Sequence, residues 1–319
     1  MRVTPPIRRW LTGPKADPSV RVRFWTEVEG RDPTDPEVQK SLKTIGRVGW
    51  AASLLEHQMP DGHWGTPGTS LRELIRPWFL ATNWVALVLS DLGMTRSDPR
   101  IRKTAEQVLA WRAKVVKAKD AELCYAGNAT RMLIRFGYLD HPVVQKSIAW
   151  IVGAQKSDGG WHCFPYRSGT LDAWEGLAAL AEIPEHARDG SIRSAIERGA
   201  EFYLRRKLMK QGSERYPPWF RIHYPTHFYY DLLVGLRVLT RLGYGADPRL
   251  VPALRWLRAK RARDGTWALD AAHPEGREAD QWVFRQPIYP LMLEAPQGPS
   301  RWATVEALSV LAKTESGNA

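Results

Sequence analysis

The chain has 319 residues, with 46 Lys and Arg against 34 Asp and Glu (net +12), 44% hydrophobic residues and only two cysteines. A chain of this length buries about three quarters of its unfolded surface, so it folds as one large or two ordinary domains without needing disulfides or a metal. Two cysteines make no disulfide framework, the opening residues lack the apolar stretch of a secretion signal, and the run Trp84–Leu89 is far short of the ~20 residues of a membrane span, so the expectation is a cytoplasmic globular protein.

Taken in chain order, an N-terminal arm at 1–35 precedes one domain at 36–319. Helical spacing of apolar residues predicts helices at about 36–58, 72–92, 99–118, 122–137, 142–155, 170–183, 191–211, 225–242, 249–261 and 300–313. Several stops share a form: Leu92-Gly93 precedes Asp98-Pro99, Phe136-Gly137 precedes His141-Pro142, and Leu242-Gly243 precedes Asp247-Pro248. A glycine ends one helix and a proline occupies the first turn of the next, which is the signature of helical hairpins. A second mark recurs between hairpins, in Asp61-Gly-His-Trp64, Asp158-Gly-Gly-Trp161 and Asp264-Gly-Thr-Trp267. Gln58 and Gln155 stand six residues before the first two tryptophans, and Arg261 before the third. Asp-Gly supplies the turn, the Gln amide can bond orphaned helix-end groups, and the Trp covers them.

Gln-x5-Trp with Asp-Gly between, repeated between helical hairpins, resembles the QW motif of the squalene–hopene cyclase and protein prenyltransferase β-subunit superfamily. Cys124-Tyr-Ala-Gly-Asn128, Tyr224-Pro-Thr-His-Phe-Tyr-Tyr-Asp231 and Gly298-Pro-Ser-Arg-Trp302 look like a group of small squalene-cyclase-like proteins. The resemblance covers about 36–313 and implies an all-α fold, an α/α toroid of about five hairpins. In it 72–92, 122–137, 170–183, 225–242 and 300–313 form the inner ring around a cavity. It also implies an enzyme of the terpene-cyclase or prenyltransferase kind. Its partner would be an isoprenoid or other apolar small molecule, with or without a diphosphate. The Asp-x-Asp-Asp cluster with which triterpene cyclases protonate an alkene is absent, as is an Asp-rich magnesium motif. A non-catalytic toroid that binds a lipid or a protein is the alternative.

Candidate chemistry falls near the starts of the inner helices. Cys124, Cys163 and His227 would make a zinc site with an open position. The departures from the relatives' metal motifs leave two packed thiols, or one reactive thiol, as alternatives. His227 and Asp231, four apart on a predicted helix, would face the same way for proton transfer, with Asp172 nearby as a further acid–base group. Asp172 and Glu175 read either as paired carboxylates or as a helix cap. Cys124, Asn128, Arg131 and Arg135 form a polar stripe that would contact either an anion or neighbouring helices. Trp78, Asn83, Trp84, Trp174, Tyr230, Trp282 and Trp302 are candidate cavity walls, since aromatic faces stabilise cations. The loops at 216–219 and 281–299 are expected to fold over one end of the barrel.

The basic excess is scattered along helices, with Arg255, Arg258, Lys260, Arg261 and Arg263 the nearest thing to a cluster. It reads as solvated helix faces, leaving peripheral contact with an anionic membrane open. No helix-turn-helix or zinc-finger spacing supports nucleic-acid binding, and nucleotide-binding and serine-hydrolase motifs are absent.

Overall fold

Glycine and proline punctuation divides the chain into short helices that alternate in character. The computed structural model describes residues 3–65, 74–75, 78–115, 122–164, 166–209, 216–272 and 292–315. Among these residues lie thirteen α-helices. They are α1 (Pro5–Thr12), α2 (Pro18–Arg23), α3 (Pro36–Leu42), α4 (Gly49–Glu56), α5 (Thr82–Asp91), α6 (Pro99–Val115), α7 (Leu123–Arg135), α8 (Pro142–Gly153), α9 (Glu175–Ala181), α10 (Gly190–Arg205), α11 (Leu232–Arg241), α12 (Val251–Ala259) and α13 (Arg301–Glu315). The fold is all-α, with one two-residue antiparallel pairing of β1 (Trp267–Ala268) and β2 (Pro299–Ser300).

Burial separates two layers. Every residue of α5 and α9 is buried, and α7, α11 and α13 are buried over most of their surface. By contrast, α8, α10 and α12 bury one stripe each, as expected of an outer layer with one wet face. Inner helices pack in chain order, α5 on α7, α7 on α9, α9 on α11 and α11 on α13. The segment read as an arm supplies the sixth inner element, because α2 and the π-turn that continues it (Phe24–Val28) pack against α13.

Several predicted helices are shorter or broken. The span 36–58 is two helices, α3 and α4, parted by Gly46 and Gly49 at φ +79° and +77°. The predicted helix 225–242 begins only at Leu232, because Asp231 caps it there, its carboxylate accepting from the Val234 N–H at 2.8 Å. Helix 170–183 begins at Glu175. Of 72–92, the described part is helical from Thr82, with one 3-10 turn at Trp78–Leu80.

The three tryptophan turns repeat one geometry. The indole N–H of Trp64, Trp161 and Trp267 donates to Leu54, Ile151 and Leu257 carbonyls at 2.8–2.9 Å, near the end of the preceding outer helix. Gln58 and Gln155 each tie their turn to the next outer helix, through Arg100 O at 3.0 Å and Ala195 O at 2.8 Å. Arg261 takes the corresponding place by donating to Gly265 O and covering the Trp267 ring. The indole bonds satisfy carbonyls that the end of the outer helix leaves open.

At the rim where the inner helices end, charged residues close a circle. Arg241 pairs with Glu182 (2.7 Å), Glu182 with Arg135 (2.6 Å), and Arg135 with Asp91. Arg23 donates to the Asp91 carbonyl (3.0 Å) and pairs with Glu306, which also holds Arg237. The relay thus passes through α11, α9, α7, α5, α2, α13 and back to α11. Burial opposes the charged forms of Asp91 and Glu182, yet Arg135 and its neighbours hold both below the usual carboxylate range. No described helix is long and apolar enough to cross a membrane.

Candidate functional site at the aromatic mouth

At the opposite end, where inner helices begin, the axis is filled by the segment that enters α11. Residues 222–231 are not helical: Tyr224–Pro225 is a cis peptide and His227 lies at φ +43°. This overturns the expected His227–Asp231 pair, because the two residues do not share a helix face. Asp231 Oδ2 instead lies 2.7 Å from His223 Nδ1 and accepts from the His223 backbone N–H at 3.2 Å. Both side chains are buried, so the pair is His223–Asp231.

His227 is buried as an aromatic. Its ring stacks on Phe79 with centroids 4.0 Å apart and meets Trp84 edge-on at 5.5 Å. Its carbonyl accepts from Asn128 Nδ2 (2.9 Å), and Asn128 Oδ1 accepts from Arg131 (2.9 Å). The Arg131 guanidinium lies 4.8 Å over the Trp174 ring, whose N–H donates to Phe228 O at 3.3 Å. Four predicted residues, Asn128, Arg131, Trp174 and His227, are therefore brought together, as the wall that holds this plug. On the polar stripe of α7, Arg135 bonds to neighbouring inner helices, while Asn128 bonds to the plug and to Arg131 of its own helix.

The cysteines meet each other. Hydrogen bonding between the half-buried thiols, together with burial, pushes Cys124 well above the ordinary thiol range, and the same bond holds Cys163 below it. His227 belongs to the Phe79–Trp84 cluster instead. Among the described residues no group of three or more His, Cys, Asp or Glu is placed to hold a metal. The expected Cys124–Cys163–His227 zinc set is thus not assembled.

The other predicted residues divide. Asn83 is buried on α5, its Nδ2 and Oδ1 without a partner among the described residues. Trp302 stacks on Tyr224 (4.3 Å) beneath the Arg23 guanidinium, toward the ion-pair circle. Tyr230 donates to Leu208 O (2.8 Å) and meets Trp219 edge-on at 5.4 Å. Asp172 is exposed in the loop before α9. The Trp78 side chain, Trp282 and residues 281–291 of the expected lid lie outside the described residues.

A pocket of about 240 Å³ opens at this mouth, lined by Asp172, Tyr216, Pro218, Trp219, Phe228, Tyr229 and Tyr230. Deeper on the axis the voids shrink to about 10 Å³ beside His223, Tyr224 and Trp302, and about 30 Å³ inside the ion-pair circle. Those hold a water or two at most. Larger grooves, such as one of about 520 Å³ between Leu42 and Arg100, lie on the outer layer, where Arg100 is already bound to Asp98 and Gly46 O. They gather no aromatic wall.

Sequence reasoning missed His223 and misread Glu175, which neither pairs with Asp172 nor caps its helix. His223 was hidden by reading 225–242 as continuous helix. Glu175 is wholly buried, neither carboxylate oxygen has a hydrogen-bond partner among the described residues, and burial pushes its carboxyl well above the usual range. A lone charge in Glu175-Gly-Leu-Ala-Ala-Leu-Ala181 was the available signal.

No protein-family profile and no curated protein matches the chain. Among solved structures it is similar to a protein from Actinoplanes, with 15% identity, 97% of this chain and 92% of that chain covered, and a TM-score of 0.42. It is also similar to a variant of the type II terpene cyclase MstE from Scytonema in complex with its product merosterolic acid A, with 14% identity, 96% and 89% covered, and a TM-score of 0.41. The apo form of that cyclase gives 13% identity, 88% and 99% covered, and a TM-score of 0.29.

Proposed function

We propose that the protein binds an isoprenoid or comparably apolar ligand at the aromatic mouth. The observation that supports this is the pocket of about 240 Å³ walled by Tyr216, Trp219, Phe228, Tyr229 and Tyr230. Sites for small apolar ligands are concave and aromatic with few polar groups, and this volume suits one end of such a ligand rather than the whole of a long one. The filled axis below it opposes threading a chain through the barrel. Titration of Trp fluorescence with farnesol, geranylgeraniol and their diphosphates tests the reading. Saturable binding, weakened at least tenfold by Trp219→Ala, is expected. No saturation with any of the four, or equal affinity in the variant, overturns it.

Glu175 favours a second, catalytic reading. A carboxylic acid kept neutral in an apolar site can protonate a carbon–carbon double bond, and the substrate later returns a proton from another carbon, so cyclisation or isomerisation leaves its formula unchanged. Asp172 lines the pocket, and Glu175, three residues beyond it, is buried and not itself among the lining residues. In D2O the product would carry one deuterium, and Glu175→Gln would abolish its formation while leaving binding intact. Binding without turnover of any of these substrates overturns the catalytic reading alone.

A further inference from the structure

The far end of the axis carries a different site. Within the ion-pair circle six cationic side chains (Arg23, Arg131, Arg135, Arg237, Arg241 and Lys313) face four carboxylates, those of Glu27, Asp91, Glu182 and Glu306. Every carboxylate is already in an ion pair, so two positive charges remain without a counter-charge. Arg131 is the clearest case. It is 2% exposed, makes no ion pair among the described residues, and its Nε has no hydrogen-bond partner there. Its direct contacts are the neutral Asn128 and the Trp174 face. Burial lowers it to about 10, and the pull of Asp91 and Glu182, both already paired with other arginines, does not offset that loss of solvation.

Asp91 and Glu182 supply part of that compensation, shared with Arg135 and Arg241, and two further terms could add to it. The inner helices end at this rim, and their terminal carbonyls act as fractional negative charge toward Arg135 and Arg241. That effect fades within the last turn, whereas Arg131 stands a full turn before the end of α7 and reaches back toward Asn128. The remaining term is a mobile ion. Arg131 and Trp174 line a cavity of about 30 Å³ together with Arg23, Arg135, Arg237 and Arg241, and that volume accepts a monatomic anion but no phosphate-sized group.

We infer that this cavity is a binding site for a small inorganic anion of the halide class, with chloride the ion it would take. The site is separate from the aromatic mouth and does not depend on the function proposed there. An anion bound only by the folded chain raises its stability in a saturable way. Thermal unfolding of the full chain is measured with sodium chloride replacing sodium gluconate at constant ionic strength. The expected result is a saturating rise of several degrees in the midpoint that is lost in Arg131→Met. Equal midpoints in the two salts overturn the inference, as does an undiminished rise in the variant. Bromide-soaked crystals of the wild-type protein give a second reading should Arg131→Met fail to fold. Anomalous density between Arg131 and the circle upholds the site, and bromide confined to the surface overturns it.

Discussion

The two ends of the barrel axis solve the same packing problem with opposite chemistry. Where the inner helices begin, Phe79, Trp84, Trp174, His227 and Phe228 fill the axis with rings. Where they end, the filling is guanidinium and carboxylate. Helix ends explain part of the contrast, because terminal carbonyls favour arginine and lysine at one rim. Asp91 and Glu182 stand against that preference and persist because Arg135 lies between them. The aromatic end is held mainly by ring contacts and is therefore insensitive to salt, whereas the ionic end is held by charges that depend on salt and pH.

The largest expected effect comes from breaking the circle. Glu306→Ala leaves Arg237 buried without its carboxylate and Arg23 with only Glu27 at 3.7 Å, and loss of one partner in such a pair costs about 3–5 kcal/mol. Urea unfolding should show that loss, and a change below about 1 kcal/mol would mean that water enters the circle and screens it. Phe79→Ala at the other end should cost a comparable ~3–5 kcal/mol. Its cost should be the same in 0.05 M and 0.5 M salt (on the order of a threefold change in screening length), and a salt-dependent cost would remove the distinction between the ends.

Acid should separate the ends next. Asp91, Glu182 and Glu27 are held below their ordinary range in the folded state, so their stabilisation is present above the unfolded carboxylate pKa and is lost as pH falls through the lower folded values. Hydrogen exchange on lowering pH from about 5 to about 2 (across that carboxylate range) should therefore loosen the last turns of α5, α7, α9 and α11 before the near-ultraviolet signal of the tryptophan mouth declines. Simultaneous loss would show one cooperative unit instead.

Glu175 gives the smallest and opposite effect. Its folded carboxyl titrates above the unfolded one, so the folded state holds a proton that the unfolded state releases, and stability falls as pH rises between the two values. Glu175→Gln should therefore stabilise the protein at neutral pH and change nothing below about pH 4, where both states are protonated. A variant no more stable than wild type at pH 7 would mean that Glu175 has a partner when folded.

Much of the fold was legible because its punctuation is chemical. Gly62, Gly159 and Gly265 hold φ near +90° in the three tryptophan turns, and an added Cβ at Gly62 would lie 2.5 Å from Lys103. The site was less legible because it depends on where helices begin. Asp231, followed three residues later by the Val234 N–H it caps, marks a helix start. Read as mid-helix, it paired with the wrong histidine. The ionic rim also had a signal in the sequence. Asp91, Arg135, Glu182 and Arg241 close successive inner helices, each just before a Leu, Phe or Ile, and their charges alternate in sign. Alternation between elements about 45–60 residues apart is invisible to any window the length of one helix.

The circle also sets an order of assembly. Arg23 finds Glu306 only across 283 residues of chain. At ~5–20 residues per second, synthesis takes roughly 15–60 s to cover that interval. Throughout it Arg23 has only its neighbour Glu27 as a carboxylate partner, and α2 must wait for its place in the ring until α13 has left the ribosome.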